Sequence, residues 1–88
     1  MTELLLVQLD WLDACSGDPS WTHRDEVDHG PSHVCSVGLL VKRDGTGFTL
    51  AQSHNLENDH VDATLFVPQA NVTGFHVLTL SRLDVPSP

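Results

Sequence analysis

The sequence predicts an all-β fold: a five-stranded SH3-like small barrel with a long first loop and a one-turn 3-10 helix before the last strand. Three observations predict it. β-Type runs separated by turn residues cover Leu4 to Leu12, Val34 to Arg43, Gly47 to Ser53, Val61 to Val67 and Val72 to Leu83. The connections run long, tight, moderate and then a single turn, the order found in SH3-like and Sm-like small barrels. Finally, 88 residues with 40% apolar side chains make one domain around one compact core.

In the first run Val7, Leu9 and Trp11 alternate with Gln8 and Asp10, the period of a half-buried strand. Leu4, Leu5 and Leu6 blur the alternation, and a helix over residues 2 to 9 is the weaker alternative. Ser16-Gly17-Asp18-Pro19 and His29-Gly30-Pro31-Ser32 stop regular structure, so residues 13 to 33 read as an insert loop. The second run puts Val37, Leu39 and Val41 on one face. Gly38 inside it predicts a bulge or a close backbone approach. Asp44-Gly45 is a hairpin signal, because both residues tolerate positive φ.

On the returning strand Phe48, Leu50 and Gln52 line one face, and Thr49, Ala51 and Ser53 the other. His54 to His60 is a polar connection to the fourth strand. Pro68-Gln69-Ala70-Asn71 is too short for an α-helix and suits one 3-10 turn. The last strand carries Gly74. Residues 1 to 85 form the domain, and residues 86 to 88 are a tail.

The formal charge is −8, with twelve acidic residues against four basic ones. Lys42 and Arg43 are adjacent, while Arg24 and Arg82 are isolated. Without a basic stripe to neutralise phosphates, nucleic-acid binding is excluded as an expectation. The N-terminus lacks a basic n-region and its apolar run is short, so neither a signal peptide nor a membrane span is expected. The expected compartment is the cytoplasm, where Cys15 and Cys35 remain reduced thiols in the core. The alternative, a disulfide at the base of the insert, would close a loop of about 20 residues and add roughly 3 kcal/mol.

Other chemistry is thinly supported. Cys15, His23, His29, His33 and Cys35 cluster in sequence, and zinc takes such ligands. They lack a C-x₂-C pair, so a polar loop with scattered histidines is preferred over a zinc site and no cofactor is expected. No nucleophile elbow, P-loop, H-E-x-x-H helix or dinucleotide fingerprint occurs, and an enzyme is not expected. Ser53 and His54 point to opposite strand faces, and Asp10 and Asp13 read as solvated carboxylates. Trp21 lies in the polar insert beside Asp25, Glu26 and Asp28. There it either pins the loop onto the barrel, the preferred reading, or anchors a partner. Trp11 belongs to the core. Phe66 and Phe75, if both face solvent, mark an oligomer or partner surface.

The stretches Trp11-Leu12-Asp13, Ser36-Val37-Gly38-Leu39-Leu40-Val41, Leu50-Ala51-Gln52-Ser53 and Val67-Pro68-Gln69-Ala70-Asn71-Val72 carry a resemblance in their order. The set resembles a group of small accessory proteins encoded by bacteriophages and prophages. That resemblance implies a protein made in the host bacterial cytoplasm that binds and blocks host factors, or sequesters nucleotide signals used in antiviral defence. The leading expectation is therefore a non-enzymatic phage accessory protein engaging a basic host protein through Trp21, Asp25, Glu26 and Asp28. The alternatives are an oligomeric sponge for a small anionic nucleotide, and a virion assembly protein that pairs strand edges between copies.

Overall fold

The structure, a computed structural model, describes residues 3 to 17 and 19 to 79. Among these residues seven strands appear in the order β1 Leu6–Asp13, β2 Ser32–Asp44, β3 Gly47–Ala51, β4 Ser53–Asn55, β5 His60–Asp62, β6 Leu65–Pro68 and β7 Val72–Val77. Among the described residues the helical elements are two 3-10 turns, Arg24–Glu26 and Gln69–Asn71. The second falls where the Pro68–Asn71 stretch predicts it. The weaker helical alternative for residues 2 to 9 is not formed over the described part, since β1 begins at Leu6. The expected last strand is present over Val72 to Val77, and the stretch from residue 80 to 83, like the tail 86 to 88, lies outside the described residues.

β1, β2, β3, β6 and β7 form one antiparallel sheet in the order β6-β3-β2-β1-β7. The expected third and fourth strands are broken. Gln52 interrupts the third, and the fourth breaks at Ala63, whose φ is +46°. The pieces beyond these breaks, β4 and β5, pair as a separate hairpin where a polar connection was expected.

Alternation sets the core. Val7 and Leu9 of β1, Phe48 and Leu50 of β3 and Val67 of β6 are buried, with Trp11, Leu40, Val72 and Phe75 packed against them. The expected face of Val37, Leu39 and Val41 is not the core face. Val37 is 58% exposed and Val41 is 37% exposed, because Gly38 and Leu40 turn inward instead. Gly38 makes the close approach: a Cβ there would lie 3.0 Å from the Ala51 carbonyl oxygen. The bulge falls at Val41, between Leu40 and Lys42.

The sheet is strongly curled. In a flat sheet β3 and β7 would lie three strand spacings apart, roughly 14 Å. Yet the Phe48 and Phe75 rings stack with centroids 5.3 Å apart. A second bulge, between Asp10 and Trp11 on the β1–β7 ladder, adds to the twist that allows this. The Arg43 guanidinium sits over both rings, 5.1 Å and 4.8 Å from their centroids. Hydrogen bonding leaves β6 and β7 as the two edges, so the sheet is open.

The β2–β3 turn depends on Gly47 more than on Asp44-Gly45. Asp44 accepts hydrogen bonds from the Thr46 amide (2.8 Å) and hydroxyl, and positive φ is used at Gly47 instead. A Cβ on Gly47 would lie 2.3 Å from the Val67 carbonyl oxygen and 2.8 Å from the Phe66 ring. Gly45 has open space around it. Gly47→Ala is therefore expected to cost roughly 2–3 kcal/mol in urea unfolding, and Gly45→Ala about 0.5 kcal/mol or less.

Candidate binding surface

The β1–β2 ladder closes with Asp13 opposite Ser32, so the insert proper runs from residue 14 to residue 31. Every described residue of it is exposed. Local hydrogen bonds shape it. The Asp13 carboxylate accepts from the Ala14 amide at 2.8 Å, and the Glu26 amide donates to the His23 carbonyl at 2.9 Å. The Asp25 amide donates to the His23 ring nitrogen Nδ1 at 3.2 Å. That bond uses the neutral ring as an N-terminal cap. The Asp25 carboxylate, 3.7 Å from the same nitrogen, is beyond hydrogen-bond reach.

Trp21 is fully exposed, at 103% of its reference area. The expectation that it pins the loop onto the sheet is corrected: the loop holds its shape without that ring as a plug. Trp21 instead forms one wall of a depression of about 630 Å³ that also includes Pro19, Thr22, Glu26, Val27 and Asp28. Glu26 and Asp28 thus share a hollow with the indole, and Asp25 lies on the adjoining 3-10 turn. Val27 adds a second exposed apolar side chain, at 58%. This arrangement offers apolar contact area ringed by carboxylates. It has one guanidinium nearby in sequence, Arg24.

The remaining expected site residues are dispersed. Cys15, His23 and His29 belong to the insert, whereas His33 and Cys35 sit on β2 opposite Leu12 and Asp10. Among the described residues no group of three His, Cys, Asp or Glu side chains is placed to hold a metal ion, so the five zinc candidates do not converge. Cys15 and Cys35 are free thiols, and both are exposed, which corrects their placement in the core. They are not cross-ladder neighbours: Cys35 faces Asp10, three residues short of the strand end that leads to Cys15. The Phe pair splits as well. Phe66 is 53% exposed, whereas Phe75 joins the core through its stack on Phe48. Trp11 packs against the core as expected, with its Nε1–H donating to Ser36 Oγ at 3.0 Å.

Two carboxylate–imidazole pairs were not legible in the sequence, because each joins residues brought together by folding. Asp10 accepts from Gln8 Nε2 at 3.1 Å through one oxygen, and its other oxygen is 3.1 Å from His76 Nε2. Register explains the pairing, since Gln8 is opposite His76 and Asp10 opposite Gly74. On the β4–β5 hairpin, His54 Nε2 is 2.7 Å from an Asp59 oxygen. Asp59 is held at a φ of +59° in the tight connection.

The Gln8 amide, and then the His76 ring, hold the Asp10 carboxyl below its ordinary value. The Thr46 hydroxyl and amide do the same for Asp44. A carboxyl whose folded pKa is depressed adds stability above its unfolded pKa of about 4. That contribution disappears as pH falls through the lower folded value. Urea midpoints of the wild type should therefore drop below about pH 4, and an Asp10→Asn, Asp44→Asn double variant should show a shallower acid limb.

No protein-family model, curated protein or solved structure matches the chain. Among the described residues no helix is long and apolar enough to cross a membrane.

Proposed function

We propose that this protein is a non-enzymatic binding module whose insert engages a partner protein with a basic surface. The observation that carries this reading is the full exposure of Trp21 beside Glu26 and Asp28. An indole in water is a standing cost unless something covers it, and Trp is among the residues most enriched at binding hot spots. The carboxylates supply complementarity to Lys and Arg, and steer association at low salt. The resemblance to bacteriophage accessory proteins gives the setting: a host bacterial cytoplasm, with a host factor as the target. Catalysis is no part of this reading.

The same proposal includes a finer fold, an SH3-like small barrel. It is supported by the strand order, in which the last strand returns beside the first. It is also supported by the 3-10 turn, which ties both ends of the curl together. The Gln69 amide donates to the Thr46 carbonyl at 2.9 Å, and Asn71 Nδ2 donates to the Leu12 carbonyl at 2.8 Å. In such a barrel the insert stands at one mouth, clear of the core.

The test is a quantitative pull-down from bacterial lysate with the wild type and an Asp25→Asn, Glu26→Gln, Asp28→Asn variant. The reading expects a stoichiometric partner at 50 mM salt that is depleted at 500 mM and absent with the triple variant. Recovery of no partner at low salt, or equal recovery by the variant, contradicts it.

A further inference from the structure

At the other end of β1 lies a second surface. A cleft of about 450 Å³ is walled by Leu4, Leu5, Leu6, Leu39, Leu56 and Leu78, with Glu3 and His54 as its polar members. Leu6 and Leu39 face each other across the β1–β2 ladder, on the side away from Val7 and Leu9. The β4–β5 hairpin supplies His54 and Leu56, and the amide of Leu78 donates to the Leu6 carbonyl at 2.9 Å. Leu5 and Leu56 are still 55% and 52% exposed. β1 spans eight residues, so this cleft and the insert are roughly 23 Å apart and no small ligand touches both.

We infer that this cleft is a docking site for a short peptide segment carrying a large apolar anchor flanked by Lys or Arg. Charge selects that occupant. Glu3 lines the cleft, Asp59 bonds the His54 ring that lines it, and Glu57 follows Leu56 in the chain. Among the described residues no cation belongs to the wall: Arg24 is on the insert, Arg43 lies over Phe48 and Phe75, and Lys42 pairs with Thr49 in the ladder, while Arg82 lies outside the described residues. A second copy of a chain with charge −8 would meet the same carboxylates. A compact ligand confined to the cleft floor would leave the rims of Leu5 and Leu56 wet, whereas a peptide lying across covers both. The anchor fills the leucine floor, and its flanking ammonium or guanidinium groups reach the rim acids.

The probe is a fluorescein-labelled peptide, Lys-Lys-Leu-Phe-Lys-Lys, compared with Glu-Glu-Leu-Phe-Glu-Glu and with an all-lysine hexamer. Anisotropy gives affinity, and amide chemical shifts of the full-length chain give the location. The expected result is saturable binding of the first peptide alone, with shifts at Leu39, Leu56 and Leu78. Leu5→Ser and Leu56→Ser, both at exposed positions, should each weaken it about tenfold. Trp21→Ala should leave it unchanged, which separates this site from the insert. The inference is overturned by equal binding of the acidic or all-lysine peptide, by shifts confined to the insert, or by insensitivity to both serine variants. Concentration-dependent shifts at these leucines without peptide would assign the cleft to a second copy. Binding that appears only when residues 80 to 88 are removed would assign it to the chain's own end; either outcome also overturns the inference.

Discussion

Phe48→Ala is expected to remove most of the stability of this domain. Phe48 is 1% exposed, stacks on Phe75 and lies under the Arg43 guanidinium. Deleting its ring leaves a cavity where β3 and β7 meet across the curl, and such truncations cost about 3–5 kcal/mol. A domain of this length holds roughly 4–13 kcal/mol in all. With a urea m-value of about 1 kcal/mol/M, the midpoint should fall by about 3 M or more. Phe48→Leu keeps most of the volume and should cost about 2 kcal/mol or less. If Phe48→Ala unfolds at nearly the wild-type midpoint, the core does not depend on the β3–β7 closure described above.

Trp21→Ala should behave in the opposite way. Nothing in the core rests on this indole, which is fully exposed. The urea midpoint should shift by no more than about 0.5 kcal/mol in stability. Partner affinity, measured by titration calorimetry once the partner is in hand, should fall at least about 30-fold, the equivalent of about 2 kcal/mol. A Trp21→Ala protein that binds normally would move the interface elsewhere. One that is strongly destabilised would restore the pinning role.

Much of the sheet was legible because alternation is a local signal. Val7, Leu9 and Trp11 declared their face in β1, and Phe48 and Leu50 declared theirs in β3. Turn chemistry placed the Gln69–Asn71 turn for the same reason. β2 was harder. It carries apolar side chains on both faces, so alternation could not say which side is the core, and the bulge at Val41 reset the period partway along. The β4–β5 hairpin was missed because its strand residues, Val61 apart, are polar and its pairing rests on backbone bonds. The insert's extent was nearly right, but Trp21's environment was beyond the sequence: a ring with no close apolar neighbours in the chain gives no sign of whether it folds inward. The cysteine pair failed on register, since proximity at a strand end depends on residues that only the ladder aligns. The leucine cleft was hidden for a related reason. Its walls come from the N-terminal segment, the start of β1, β2, the β4–β5 hairpin and the residue that follows β7.

Central to the proposed function is that the insert, whose described residues are all exposed, stands outside the folded unit and serves recognition. Asp13 and Ser32 are cross-strand partners, so a two-residue Asn-Gly turn can join them without shifting the ladder. The decisive measurement is the amide correlation spectrum of that shortened chain, recorded with its partner titration. The expected result is superimposable resonances for β1 to β7 beyond the junction, with partner binding abolished. A collapsed, unfolded spectrum, or binding that survives the deletion, would contradict it.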